Sequence, residues 1–257
     1  MTDTDQAATK TLVVLGATSG IAHAYLRLIA TKHPERRIIL VARDMDRLDL
    51  VRQDIAARRQ GDVTTIAAEI GKPSAITSIM SQIVDAVETI DECLLAYGAL
   101  GEQTALQKDP ATLEALLNTN FVSSCLWLEA LAAQFESQAS GHAVVIGSVA
   151  GDRGRQSNYM YGATKAGLER LCEGMAHRFA SARDIHVTCI KPGLVDTAMT
   201  AHLQPSGLLW AKPERVASDI YRAVRRKRVR IYTPGFWRLI LLIVRTLPVP
   251  IFHKTRL

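Results

Sequence analysis

The sequence predicts an α/β fold: a doubly wound, mostly parallel sheet of about seven strands with helices on both faces. Three observations lead there. Short apolar runs alternate with segments of helical periodicity along the chain. The first run ends in a glycine turn that opens directly into a helix. The chain has 257 residues, 48% hydrophobic and 22% charged, enough for one large core. No repeat, low-complexity segment or linker divides it. One domain over residues 1–257 is therefore expected, with 234–257 as an apolar and basic extension at its end.

The elements follow in order. Thr11 to Leu15 reads T-L-V-V-L, a buried strand, followed by Gly16-Ala-Thr-Ser-Gly20 and a helix from Ile21 to about Thr31. Ile38 to Ala42 is a second strand, leading to Arg43 and a helix that ends near Gln60. Val63 to Ala68 and Glu92 to Ala96 are strands, with a helix from about Ser74 to Glu88 between them. Long helices are expected over Thr112 to Gln134 and Ser157 to Ala180, around a strand at Ala143 to Ile146. Ile185 to Ile190 is a strand ending in Lys191-Pro192-Gly193. Pro213 suits the first turn of a helix running to about Lys227, and Val229 to Tyr232 is a last strand.

Composition narrows the classes of function. Cys93, Cys125, Cys172 and Cys189 lie far apart in apolar contexts and form no C-x-x-C pair, so buried, reduced thiols are expected. The seven histidines have no ligand spacing, and no metal site is expected. Met1 to Lys10 lacks the layout of a signal peptide, and no apolar run is long enough to span a bilayer. A cytoplasmic location is expected. Net charge is +6, but from Trp210 onward twelve Lys or Arg face two acids. The tail thus carries +10 and the first 209 residues −4.

The chemistry concentrates between Gly147 and Lys165. Tyr161 and Lys165 are four apart, on one helix face if the segment after Gln156 is helical. An ammonium beside a phenol favours the phenolate and lowers a pKa that is otherwise about 10. Such a tyrosine can exchange a proton with a substrate oxygen. Ser148 would reach the same point from the end of a strand. Tyr159 offers no such pair, because the residue four beyond it is Ala163. In the glycine turn, Gly16 permits the tight bend and Gly20 lets backbone approach a pyrophosphate at a helix N-terminus. Ala22 is small enough for close helix–sheet packing.

Gly16 to Ala22, Asn120, Ser148, Tyr161, Lys165 and Pro192-Gly193 together resemble the short-chain dehydrogenase/reductase family in order and spacing. Ser148 stands thirteen residues before Tyr161, as in that family, and the resemblance covers about residues 11–200. It implies a Rossmann-type sheet and a nicotinamide cofactor. Tyr161 would be the general acid of carbonyl reduction, or the base in reverse. Lys165 would lower its pKa and bind the nicotinamide ribose, Ser148 would polarise the carbonyl, and Asn120 would hold a water of the proton relay. Cofactor contacts are implied for Gly16, Thr18, Ser19, Gly20, Ile21, Arg43, Ala96, Gly98, Tyr161, Lys165, Pro192, Gly193, Val195 and Thr197. An acid that binds the ribose of NAD(H) is missing after the second strand. Ala42-Arg43 stands there, and a guanidinium suits the 2′-phosphate of NADP(H), so NADP(H) is expected over NAD(H). A homodimer or homotetramer is implied by the resemblance.

The chain also departs from the family pattern. Ala96-Tyr97-Gly98 replaces the usual Asn-Ala-Gly, Gly147 precedes Ser148 where a second serine is common, and Glu69 stands where an aspartate usually meets the adenine. The strings at 96–102, 150–155, 161–168, 199–203 and 247–252 are similar to the decaprenylphosphoryl-2-keto-ribose reductases, which reduce a keto group on a lipid-linked pentose. The expected substrate is accordingly a small-molecule or lipid-linked ketone. Two other classes compete: a nucleotide-binding sensor that has lost the chemistry, and a membrane-surface scaffold.

Two placements fit the apolar segment from Phe236 to Val244. It could lie in a membrane interface with Arg238 and Arg245 as a basic stripe, giving a peripheral location, or it could dock on the protein's own core or a subunit contact. Arg153 and Arg155 border the expected pocket and would either hold a substrate phosphate or simply be exposed. No nucleic-acid reading motif accompanies the arginines.

Overall fold

The computed structural model describes residues 10–204 and 206–255. The polar amino-terminal stretch 1–9, weighed above, lies outside the described residues. Seven strands form one parallel sheet: β1 (Thr11–Leu15), β2 (Arg37–Ala42), β3 (Val63–Ala67), β4 (Glu92–Leu95), β5 (Gly141–Ile146), β6 (Ile185–Pro192) and, last in the chain, β9 (Arg230–Thr233). Their order is β3-β2-β1-β4-β5-β6-β9, and every pair is parallel. A separate two-stranded ribbon joins β7 (Leu194–Val195) to β8 (Trp210–Ala211).

Alternate residues of β1 serve opposite cores, which explains its unbroken apolar run. Leu12 and Val14 face α1 (Gly20–Lys32), α2 (Met45–Ala56) and α8 (Pro213–Arg225). Val13 and Leu15 face α3 (Ile76–Ala86), α6 (Ser123–Gln138) and α7 (Tyr159–Arg178). Both faces are helix-covered, giving the expected doubly wound Rossmann-type sheet. The strand order reverses between β1 and β4, and in such sheets ligands bind beyond the strand C-termini at that crevice.

Several details differ from the expectation. The helix foreseen over 112–134 is a composite of α5 (Pro110–Leu117), a π-helical turn at Asn118–Val122, and α6. A widened turn leaves no trace in hydrophobic period, yet such turns are frequent at functional sites. The short helix α4 (Gln103–Lys108) and the β7–β8 ribbon were not foreseen, being too short to show a period. After β9 come α9 (Trp237–Thr246) and α10 (Val249–Phe252). Cys93, Cys172 and Cys189 are buried free thiols, whereas Cys125 is only partly buried.

The C-terminal segment docks on the protein's own core. Trp237 and Leu241 are 8% and 6% exposed and pack with Val149, one residue after Ser148. The outer face stays open: Leu239, Leu242 and Ile243 are 60–66% exposed. Among the described residues, no helix is long and apolar enough to cross a membrane.

Candidate active site

The glycine turn is held at the mouth of the sheet by main-chain contacts. Gly16 and Ala17 both donate to the Val41 carbonyl, at 2.8 and 3.2 Å. Gly16 has φ +86°, and a Cβ there would lie 2.8 Å from Tyr97, so only glycine lets the β4 loop come this close. Ser19 starts α1 without capping it through its side chain, which leaves the first-turn amides available to an anion. Thr197 touches the Cβ position of Gly20 at 3.2 Å, so the loop after β6 closes over the same turn. Thr18 and Ser19 are half-buried beside it, whereas Ile21 turns its side chain into the core.

Tyr161 and Lys165 lie on the first two turns of α7, and Ser148 follows the end of β5. Ser148 Oγ accepts from the Ala150 amide at 3.1 Å, and its hydroxyl lies close enough to the Tyr161 phenol to favour the phenolate. Lys165 is buried. Its ammonium donates to the Ile146 carbonyl at 2.9 Å and lies 5.8 Å from the centre of the Tyr161 ring. The lowering of the Tyr161 pKa expected from Lys165 does not emerge from this arrangement. Burial raises the phenol above its ordinary value, opposed only by the Ser148 hydroxyl. Burial likewise pushes the Lys165 ammonium down, to about 8.

Asn120 sits in the π-helical turn and is almost fully buried. Its amide is engaged at both ends by Ala99: Oδ1 accepts from the Ala99 N–H at 2.8 Å and Nδ2 donates to the Ala99 carbonyl at 2.7 Å. Thr164 is a further, longer contact at 3.4 Å. The Asn120 side chain therefore braces the β4 loop. A Cβ on Gly98 would lie 3.1 Å from Asn120 Oδ1 and 3.6 Å from Lys165 Nζ, so Gly98 sits between them. Ala96, Gly98, Asn120, Ser148, Tyr161 and Lys165 thus gather at the C-terminal ends of β4 and β5.

Tyr97 takes over the bracing lost with the family's asparagine. Its hydroxyl meets Ser123 Oγ at 2.9 Å and accepts from Ser124 Oγ at 3.3 Å, fixing the loop to α6; burial pushes the phenol up to about 12. Gly147 also has a local reason. A Cβ there would lie 3.0 Å from Cys189 Sγ and 3.1 Å from the Ile190 carbonyl, tight for a serine.

The opposite wall is β6 and the extension. Pro192 and Val195 are buried, and Gly193 carries the Trp237 indole where a side chain would be, with Nε1 against the ideal Cβ position. Arg153 does not face a phosphate. It donates to the carbonyls of Val244 at 2.5 Å and Leu247 at 2.8 Å and stacks 3.8 Å from the Phe252 ring. Its sequence neighbours gave no hint, because its partners lie 91 to 94 residues away. Arg43 is exposed beyond β2, and the next residue, Asp44, is occupied capping α2 through the Arg47 amide at 3.0 Å.

Residues 10–206 match the family model for short chain dehydrogenase. The chain belongs to the short-chain dehydrogenase/reductase family. It is 32% identical over 240 residues to an uncharacterized oxidoreductase of Mycobacterium tuberculosis, covering 92% of this chain and 93% of that one. It is 27% identical over 245 residues to an uncharacterized oxidoreductase of Streptomyces coelicolor, covering 95% of each. The fold matches a short-chain dehydrogenase from Sphingobium yanoikuyae solved in complex with NADPH, with TM-score 0.80, 21% identity and 96% of both chains covered. It also matches the bulky-bulky ketone specific alcohol dehydrogenase of Comamonas testosteroni, with TM-score 0.77, 19% identity and 96% and 95% of the two chains covered. The protein is therefore an oxidoreductase of this family.

Proposed function

We propose that the protein is an NADP(H)-dependent reductase of a ketone, with Tyr161 as proton donor. The carrying observation is the meeting of Ser148, Tyr161 and Lys165 beside the glycine turn. The turn fits a dinucleotide: two glycines that tolerate close backbone approach, a helix N-terminus without a side-chain cap, and Gly98 beside Lys165. Gly16, Thr18, Ser19, Gly20, Ile21, Ala96, Gly98, Pro192, Gly193, Val195 and Thr197 would hold it, several through backbone only. Arg43 would take the 2′-phosphate, since Asp44 is occupied as a helix cap. The NADPH complex of the Sphingobium relative supports this choice. When bound, the reduced nicotinamide supplies the hydride.

The chain's own groups supply the rest. Burial keeps the Tyr161 phenol protonated, which suits an acid that gives its proton to a carbonyl oxygen. Ser148 donates to that oxygen or to the phenol. The Lys165 ammonium, held over the Ile146 carbonyl, is placed to bind the ribose and recharge the phenol. Hydride on carbon and proton on oxygen together turn the ketone into an alcohol. The ketone class is supported by the name of the Comamonas neighbour.

The test is NADPH oxidation over a panel of aliphatic, aromatic and sugar-derived ketones. Tyr161→Phe should bind NADPH normally and lose about two to four orders of magnitude in turnover. Full turnover in that variant would end the proposal, and a wild type that binds NADPH but turns over nothing would favour the sensor.

A lipid-linked ketone, such as a keto-pentose on a polyprenyl phosphate, is the narrower reading. One observation favours it: the open apolar face of α9 lies beside a groove of about 850 Å³ lined by Arg226, Lys227, Arg228, Arg230 and Arg238. Such a surface suits an anionic membrane interface. Exposed Leu117, Val122 and Leu126 on α5–α6 support the family's mode of pairing into a dimer, readable by light scattering.

A further inference from the structure

We propose that Lys191 is a positioning residue that locks the Ser148 loop and the Pro192–Gly193 turn into one unit beside Tyr161. Its side chain is 1% exposed and reaches three segments at once. The ammonium contacts Asp152, four residues past Ser148 in the same loop, whose side chain is 0% exposed. It also donates to Glu169 Oε2 at 2.5 Å, one turn beyond Lys165 on α7. Its backbone continues directly into Pro192–Gly193. Tyr232 of β9 completes the cluster by donating to Asp152 Oδ2 at 2.8 Å, under the ammonium, which lies 4.9 Å from its ring centre.

The charges balance. Arg230 meets Glu169 Oε1 at 2.9 Å and Arg170 meets it at 3.2 Å, both from the more exposed side. Arg245 of α9 lines the same small cavity as Asp152, Glu169, Arg170 and Lys191. A fully buried ammonium between two carboxylates is held by every partner. Removing it leaves a buried charge without compensation, and the segment carrying that charge must shift towards water or take up a proton. Asp152 is the more sensitive of the two, because Glu169 keeps its arginines. The loop it belongs to has no slack: a Cβ on Gly151 would lie 2.7 Å from the Ala166 amide, so the loop lies directly on α7 next to Lys165. A disturbance at Asp152 therefore reaches Ser148.

The inference rests on reading residues 192–193 as the nicotinamide side of the site, and its test uses NADPH itself. Lys191→Met, checked for fold by circular dichroism, should bind NADPH at least ten-fold more weakly at pH 8. The deficit should shrink towards pH 5.5, as the carboxylate left alone takes up a proton and the buried charge disappears. Lys191→Arg, which keeps the charge but overfills a buried site, should fall between Lys191→Met and wild type and show no pH-dependent recovery. A merely structural lysine would give a deficit that does not change with pH. Folded Lys191→Met with the wild-type affinity and pH profile overturns the proposal. If that variant does not fold, Tyr232→Phe decides, since it removes one hydrogen bond and no charge. Faster amide exchange confined to peptides spanning 148–156 and 190–197 is expected, and unchanged exchange there overturns it. Tyr161→Phe is assayed in parallel. Its full activity would remove the functional reading while leaving the affinity comparison intact.

Discussion

Burial acts on Tyr161 and Lys165 in opposite directions, and both shifts favour the neutral form. The phenol stays protonated to higher pH, while the lysine begins to lose its charge near pH 8. For carbonyl reduction the needed state is phenol plus ammonium, which is half lost at about pH 8 and complete only well below it. The kcat/KM for reduction should therefore be flat at lower pH and fall as pH rises through an apparent pKa near 8, measured from pH–rate profiles. A profile rising through that range would contradict the assignment. The folded lysine also holds fewer protons than the unfolded one between about 8 and 10.5, so its burial penalty relaxes as pH increases there. Arg43→Ala should weaken NADPH by about ten-fold, or 1.4 kcal/mol, and leave NADH binding unchanged in the same titration. Ser148, Tyr161 and Lys165 were legible because they lie at fixed spacings along one strand end and one helix. The task of Arg153 was not, nor was the partnership of Lys191 with Asp152 and Glu169, because these contacts join residues brought together only by the tertiary fold.

At the scale of elements, the sheet was readable because strands buried on both faces must be continuously apolar, and L-V-V-L of β1 and I-I-L-V-A of β2 are. The passage of α5 into α6 was not legible, since a π-helical turn changes backbone hydrogen bonding without changing which residues are apolar. That turn is what aims Asn120 at Ala99. The extension had two placements on paper, and the choice between them depended on surroundings that a sequence does not display: the open side of Gly193 and the cluster around Val149. Trp237→Ala should cost about 3–5 kcal/mol, seen as a lower denaturation midpoint, because a buried indole is removed from a packed site. Arg153→Ala should leave the sheet intact and expose the α9–α10 junction to limited proteolysis. β5 and β6 add a pH effect of their own. His142 is buried with its Nε2 2.7 Å from Thr188 Oγ1, and desolvation lowers its pKa to about 4. Its contribution is complete above about pH 6.5 and is lost as pH falls towards 4, so Tm should decline across that window and less so in His142→Gln.

Across the whole molecule, charge and apolar exposure gather at one end of the sheet. Among the described residues β9 is an edge strand, paired with β6 alone, and arginines occupy its open side, which discourages other strands from pairing there. If the same surface meets anionic lipid, full-length protein should co-sediment with anionic vesicles, release them as salt is raised, and lose binding when residues 235–257 are deleted. Vesicle binding that ignores salt would point to apolar insertion alone. The position of β9 in the sheet also bears on synthesis. The glycine turn, the β4 loop and the Ser148–Tyr161–Lys165 group are all made before residue 166, yet the strand that flanks β6 and the tryptophan that seals Gly193 are made only after Arg228. A chain still emerging from the ribosome can assemble the phosphate-binding half of the sheet early, because domains tend to form from the N-terminus as they are made. Its other half is completed only when β9 and Trp237, which follow Arg228, have been made. Ribosome-stalled chains ending near Arg228 should therefore already resist protease over β1–β4 and still be cut between β5 and β6.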